Sequence, residues 1–435
     1  MGAAVRPRVV QDLCAFENSL PGATAVTRFV GSVPAMPSQP DLLAAAHEQL
    51  PGALDLRREL HRHPELGLDV PRTQERVLDA LAPLGLATRL GTRTTSIVAD
   101  LEGTRPGPTL VLRADMDALP LDEDTGVSFP SEVPGAMHAC GHDAHTAMLV
   151  GAARLLHARR DALAGRVRFM FQPGEEGPGG AEVMLDEGLL DDLDEVTGAF
   201  AIHVTPAAPA GMLAWRPGAV LASADQFRVV VRGRGGHGSS PHEALDPIPI
   251  ACQIVLALQT AITREISVFD PAVLTVGRIR GGTVNNVIPE VAQIDGTLRA
   301  VSPRTRAHIA ELVPRVASNV AAAHRATAEV AIDLGYGVTA NDPDFSAWLD
   351  TIVPAAFGEA VPTVVLPDPA MGAEDFSFVL DRVPGAMVFL GVRPEGTHRG
   401  EVAALHSNRF ELHEPALATG MALHAAVALA RLAPA

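Results

Sequence analysis

Apolar positions recur along this chain with two periods, one helical and one extended, and their order predicts the elements. Leu42, Leu43, Leu50, Leu54, Leu56 and Leu60 fall at helical spacing, which predicts a helix over residues 41–60; Pro64 disfavours helix at His63 and closes it. Residues 73–84 predict a second helix, stopped near Gly85. Strands follow over 96–101 and 109–114, the second so continuously apolar that it fits a strand buried on both faces. Residues 144–163 read as a helix with Met148, Leu149, Ala152, Leu155 and Leu156 on one face, and 166–171 and 198–204 as the next strands. Strand–helix–strand alternation of this kind predicts a doubly wound α/β domain with a mixed sheet.

Near residue 221 the pattern changes. A strand over 227–232, a helix over 247–263, strands over 273–279 and 291–300, a helix over 305–327 and a strand over 329–334 give the order β-α-β-β-α-β. That is the split βαβ unit of a ferredoxin-like α+β domain. The α/β patterning then resumes, with a strand over 386–392 and a helix over 414–432, so the unit reads as an insertion. The expected organisation is a catalytic domain from residues 41–221 and 337–435 and an inserted lid or dimerisation domain over 222–336. Before them stands an N-terminal extension, residues 1–40, punctuated by Pro21-Gly22, Pro34, Pro37 and Pro40.

Composition agrees and adds exclusions. With 435 residues the chain is too long for one ordinary core, and with 4% aromatics it must pack with Leu, Val, Ile and Ala. A net charge of −17 argues against nucleic acid or an anionic membrane surface as partner. Cys14, Cys140 and Cys252 give no disulfide framework and fit a reducing, cytoplasmic setting. No uninterrupted apolar run is long enough to predict a membrane span, and Asp12, Glu17 and Asn18 break the stretch where a secretory apolar segment would lie.

Chemistry gathers at Met137-His138-Ala139-Cys140-Gly141-His142-Asp143-Ala144-His145. Cys140 and His142 stand two apart, so in an extended or tightly turning segment they point the same way. A soft thiolate and an imidazole aimed at one point make half of a transition-metal site. A structural buried Cys beside surface His residues fits the same letters. Further candidates fall at or after predicted strand ends: Asp115 and Asp117, Glu175 and Glu176, His203, and His406. In a parallel sheet the first three of these segments share the edge at which open α/β sheets bind ligands. Adjacent extended residues diverge, so one of Glu175 and Glu176 can bind metal while the other acts as general base on water acidified by the metal; an acidic turn is the plainer alternative. In the second domain His237, within Gly235-Gly236-His237-Gly238, either reaches an oxyanion across a cleft or is an exposed turn residue. Arg299 either clamps a carboxylate or is an ordinary edge-strand Arg.

Together these motifs resemble the di-metal amidohydrolase and metallopeptidase family of aminoacylase and glutamate carboxypeptidase. Within it they are similar to the branch of hippurate hydrolase, N-acyl-L-amino acid amidohydrolase and auxin-conjugate hydrolase. The resemblance rests on Arg57-Arg58 to Glu65, Arg113 to Pro120, Met137 to Ala147, Phe171 to Ala181, Ala201-Ile202-His203, Gly235 to Pro247, Asn285 to Pro289, Gly372 to Phe376 and Leu405-His406-Ser407. These span nearly everything after residue 50, in order. The resemblance implies two divalent metal ions per chain (Zn, Mn, Co or Ni), with Cys140 bridging and His142, Glu176, His203 and His406 completing the set. It implies Glu175 as general base, Asp117 as a residue orienting a ligand, His237 as oxyanion stabiliser from the same or the partner subunit, and Asn286 and Arg299 as binders of the substrate carboxylate. It also implies a homodimer formed through the inserted domain. Gly238-Ser239-Ser240 stands where a small Ala pair is usual, His413 where an acidic residue is common, and Gly174 where Ala is common; residues 1–40 have no counterpart. None of these departures removes a ligand.

The expected function is metal-dependent hydrolysis of the amide bond of N-acyl amino acids or similar small, peptide-like conjugates, by a metal-dependent amidohydrolase. A dipeptidase or an N-acetyl-diaminopimelate deacetylase in the same fold is one alternative. A non-catalytic metal-binding protein is another, disfavoured because every ligand and the base are present.

Overall fold

The structure is a computed structural model and describes residues 42–193 and 195–434; the expected extension over 1–40, with Cys14, lies outside the described residues. The elements, in order, are α1 (Leu42–Arg62), α2 (Pro71–Leu81), β1 (Ala87–Leu90), β2 (Ile97–Glu102), β3 (Arg105–Asp115), α3 (His142–His157), β4 (Ala164–Gln172), α4 (Gly180–Asp186), β5 (Val196–Pro209), β6 (Leu213–Trp215) and β7 (Gly218–Leu221). There follow β8 (Asp225–Arg232), β9 (Gly236–His237), α5 (Pro247–Glu265), β10 (Ala272–Gly281), β11 (Val287–Ile288), β12 (Val291–Ala300), α6 (Pro303–Ala323) and β13 (Thr327–Leu334). The chain returns through β14 (Thr339–Asn341), α7 (Pro343–Phe357), β15 (Thr363–Val365), α8 (Ser377–Leu380), β16 (Gly385–Arg393) and α9 (Leu417–Arg431).

Eight strands form one mixed sheet in the order β1-β2-β4-β3-β5-β16-β6-β15. Its centre, β4-β3-β5-β16, is parallel. The two-residue period of these strands divides their side chains between two cores. Leu110, Leu112, Phe169, Phe171, Phe200 and Ile202 join α1, α3 and α9 on one face. Val111, Met170, Ala199 and Ala201 join α4 and α8 on the other. Helices therefore cover both faces, which is why β3 is buried without alternation from Thr109 to Asp115. α3 is buried nearly all round, so the Cys140-Gly141 turn before it is anchored by a rigid element.

The remaining large sheet has the order β10-β12-β8-β13 and is antiparallel throughout. Its strands and two helices follow one another in the β-α-β-β-α-β order read from the pattern. β8 alternates buried and exposed, as a sheet covered on one face must. Phe227, Val229 and Val231 pack on Ile250, Ile254 and Leu258 of α5 and Ile309 and Leu312 of α6 in a core of their own. Among the described helices α5 alone is long and apolar enough to cross a membrane, and here its apolar residues Ile250, Ala251, Ile254 and Leu258 are the face packed on this sheet.

Some boundaries differ from the pattern. The helix expected from residue 144 begins at His142 and ends at His157. The second helix relaxes into a 3-10 turn at Ala82–Leu84 before Gly85. The stretch 337–385 holds β14, α7, β15 and α8, none of which the pattern predicted. α7 carries Pro343 and Pro354, residues that usually break a helix. Yet the Asp342 carboxylate accepts from Phe345 N at 2.8 Å, and Pro343 takes the first helical position, where a missing N–H costs nothing. Asp246-Pro247 and Ser302-Pro303 start α5 and α6 in the same way. Asp342→Ala is expected to lower stability by about 1 kcal/mol in chemical denaturation; an unchanged midpoint would show that α7 is held by packing alone.

Candidate metal centre

β3 ends at Asp115 and β4 at Gln172, and these are register partners in a parallel pair. Asp117, Glu175 and Glu176, just beyond, therefore share one sheet edge, beside β5, which carries His203. Cys140 enters through a turn that requires glycine: Gly141 has φ 85°, and a Cβ there would lie 2.5 Å from Val204 Cγ2. The turn sets His142 at the start of α3.

Cys140 Sγ lies 3.5 Å from His203 Nε2. His203 Nδ1 donates its N–H to the Val204 carbonyl at 2.7 Å, which keeps the proton on Nδ1 and leaves Nε2 with a free lone pair. His406 Nε2 is 3.1 Å from Glu176 Oε1, and His142 Nε2 is 3.9 Å from the same oxygen. The donor atoms of Cys140, His142 and His203 all lie within 4.8 Å of one another, and so do those of Cys140, Glu176 and His406. The five expected ligands thus form two sets of three that share the thiol. Cys140, His142 and His203 are buried, Glu176 is half-buried and His406 is exposed, so the cluster opens to solvent beside His406. His406 has a left-handed backbone, φ 65°, and its N–H donates to the Ala139 carbonyl at 2.9 Å. That strained link brings the distant His406 segment onto the Cys140 turn.

Both ring nitrogens of His142 are buried without a hydrogen-bond partner. Each such orphan costs about 1–3 kcal/mol. A thiol, three imidazoles and a carboxylate facing one another in this way fit a divalent transition-metal ion.

The next layer fixes these groups. Asp117 accepts from the N–H of Glu175 at 2.9 Å and of Glu176 at 3.1 Å, and lies 3.5 Å from His142 Nδ1. His145 donates from Nδ1 to Asp115 at 2.6 Å and accepts the Val204 N–H at Nε2, 2.9 Å. Both of its nitrogens are used, so it braces β5 against β3 and is not free to ligate. Arg113, fully buried, binds Asp115 at 2.7 Å, Glu374 at 2.7 Å, Asp375 at 3.1 Å and Gln172 at 2.9 Å. Burial alone would raise Asp115, but Arg113, His142 and His145 hold it well below the usual carboxylate range. Burial, reinforced by Glu374 and Asp375, holds Glu175 well above that range, so it holds a proton readily. Burial, helped by His145, pushes His203 down to about 3, which keeps it the neutral ligand form.

The motif Arg57-Arg58-Glu59-Leu60-His61 serves the same turn from behind. Arg57 Nε is 3.1 Å from Asp143, His61 Nδ1 is 2.8 Å from the same carboxylate, and both arginines reach Glu414. Asp143 is thus fixed one residue beyond His142.

His237, Asn286 and Arg299 lie elsewhere. His237 is exposed on β9, paired with Val287 of β11; its Nδ1 accepts from Ser239 N at 3.1 Å, with Ser239 Oγ at 2.8 Å. The Asn286 carbonyl accepts from Gly238 N at 2.8 Å, so Asn286 sits beside His237 at the end of this strand pair. Arg299 is half-buried on β12. Among the described residues no hydrogen bond or ion pair joins these three to the cluster. Sequence reasoning missed the pairing of Arg113 with Glu374 and Asp375, the bracing role of His145, and Tyr336. The Gly372 to Phe376 motif marked Glu374 and Asp375 but gave no partner.

A sheet edge furnished like this belongs to a metal-dependent hydrolase. The chain belongs to the peptidase family M20/M25/M40, whose model matches residues 111–430. It is 39% identical over 380 residues to thermostable carboxypeptidase 2 of Saccharolobus solfataricus, covering 86% of this chain and 94% of that protein. It is 37% identical over 361 residues to the N-acetyl-L-cysteine deacetylase of Bacillus subtilis, covering 83% of this chain and 84% of the relative. A solved dinuclear metal binding peptidase of the M20 family from Bacillus subtilis superposes with a TM-score of 0.76 at 34% identity, covering 89% of this chain and 99% of that one. The chain is accordingly a hydrolase of the amidohydrolase and metallopeptidase kind.

Proposed function

We propose that this protein hydrolyses the amide bond of N-acyl amino acids or similar small conjugates, using two divalent ions held beside Glu175. The observation that carries this reading is the thiol of Cys140, shared by two sets of three donors. Cys140, His142 and His203 would hold one ion, and Cys140, Glu176 and His406 the other; Zn, Mn, Co or Ni suits such a mixed set. Bound there, the ions supply Lewis acidity, polarising a carbonyl and acidifying water.

Glu175 does the proton work in this reading. It takes a proton from the attacking water as the water oxygen bonds to the amide carbon, and delivers it to the nitrogen as the C–N bond breaks, releasing acid and amine. Its burial favours both halves of that task. Asp117, gripping the N–H groups of Glu175 and Glu176, fixes their backbone.

Residues 222–336 would be the inserted ferredoxin-like domain, serving as lid and dimer surface. Its own core and its open edge strand β10, with Val273 and Ile279 exposed, support this. His237 would meet the oxyanion, and Asn286 and Arg299 the substrate carboxylate, on closure of the domain or from the partner subunit. The deacetylase relative supports an N-acyl substrate; the carboxypeptidase relative supports a peptide-like one.

The test is a panel of N-acetyl and N-benzoyl amino acids and dipeptides, assayed after loading with Zn, Mn, Co or Ni. Free amino acid should appear from the N-acyl substrates, stop on chelation and return on adding metal back. Turnover confined to dipeptides would make the protein a dipeptidase. Two bound ions with no turnover of any amide would defeat the proposal.

A further inference from the structure

Residues 222–224 and 335–338 carry the chain between the two large sheets, and they are tied together. Ala224 N donates to the Tyr336 carbonyl at 3.0 Å, and Gly335 N to Asp225 Oδ1 at 3.1 Å. Arg306 of α6 closes this junction, with Nη2 2.7 Å from Asp225 Oδ1 and 2.8 Å from the Gly335 carbonyl. Asp225 is buried, so the ion pair is a fixed part of the crossing.

From the junction the Tyr336 side chain reaches the turn beyond β4. Its hydroxyl donates to the Glu175 carbonyl at 2.6 Å and accepts from Gly177 N at 3.0 Å and Gly179 N at 3.2 Å. The ring stands edge-on to Phe378, centroids 6.0 Å apart. One phenol therefore satisfies three backbone groups of the turn that carries Glu175 and Glu176. Asp117 already holds the N–H of Glu175, so this residue is gripped at both its N–H and its C=O. Burial, with Asp375 and Glu175 nearby, keeps the hydroxyl protonated and hence a donor.

We propose that Tyr336 is a positioning residue for this reaction: it sets Glu175 from the inter-domain junction, so that movement of the second domain is passed to the turn bearing the base. This rests on reading Glu175 as the base. A phenylalanine would keep the ring and its packing and release all three bonds. A base displaced by even a fraction of its reach loses rate steeply, while ground-state binding is spared.

The test is Tyr336→Phe in the full, metal-loaded chain, with kinetics, metal content and deuterium exchange read together. We expect kcat to fall about 10- to 100-fold, KM to stay within about twofold, and two ions per chain to remain. Deuterium uptake over residues 174–180 should rise in the metal-free protein as well, since the lost bonds are to backbone. A kcat within about twofold of the parent, unchanged uptake over 174–180, or loss of metal along with rate would each overturn the assignment. Arg306→Gln, remote from the turn, should raise uptake over the same residues; no change there would overturn the coupling to the junction. Glu175→Gln separates the two readings. If that variant still turns over, the base assignment fails; if it is inactive while Tyr336→Phe is fully active, only the present inference fails.

Discussion

Glu175→Gln is expected to lower kcat by roughly two to four orders of magnitude, with both metal ions retained. Gln preserves the shape of the side chain and the backbone bonds to Asp117 and Tyr336, and removes only the ability to take up a proton. The original carboxylate is buried, 7% exposed, beside Glu374 and Asp375, so no solvent carboxylate can substitute for it. Its oxygens also lie within 4.8 Å of donor atoms of His142 and Glu176. Metal analysis of the variant therefore matters as much as its rate. Loss of one ion together with the rate would make Glu175 a ligand, and retained turnover would remove it from the chemistry.

The largest effect on stability is expected from Arg113→Met. Arg113 is 1% exposed and is the cation shared by Asp115, Glu374 and Asp375. Removing it leaves buried carboxylates uncompensated, which costs about 3–5 kcal/mol in comparable cases. The pH dependence has a definite sign. Asp115 is held low in the parent, so its contribution to stability is present above the ordinary carboxylate range and lost as the medium becomes acid. Asp375 is already pushed up to about 8 by burial, against the pull of Arg113 and with Glu374 adding to the rise. Without the guanidinium Asp115 loses the main cause that holds it low and Asp375 rises further, so both fold best when protonated. The deficit of the variant, measured by urea unfolding, should therefore be largest in alkaline buffer and shrink in mildly acidic buffer. A deficit below about 1 kcal/mol at every pH would mean that the network contributes little.

The side chains that gather at the candidate metal centre were legible because their chemistry is unusual where it stands. A Cys two residues before a His, and paired glutamates after an apolar strand, have few structural uses. The remainder depends on contacts that local pattern does not carry. Arg113 follows Leu110-Val111-Leu112 and meets Glu374 from 261 residues away, so nothing near it in sequence names its partner. His145 and His142 look alike in the motif, yet His145 spends its second nitrogen on the Val204 N–H while His142 faces Cys140. The change of period near residue 221 has a counterpart in the strands, since β8 is buried at alternate residues and β3 continuously from Thr109 to Asp115. α7 was not legible, because its start is fixed by the Asp342 cap and Pro343 at the first helical position rather than by apolar spacing.

Tyr336 is the single tyrosine of the chain. Expression with fluorotyrosine would therefore give one fluorine resonance, already assigned, on the ring that joins residues 335–338 to the Glu175 turn. Its chemical shift and line width would report substrate-driven motion at that joint without any engineered probe.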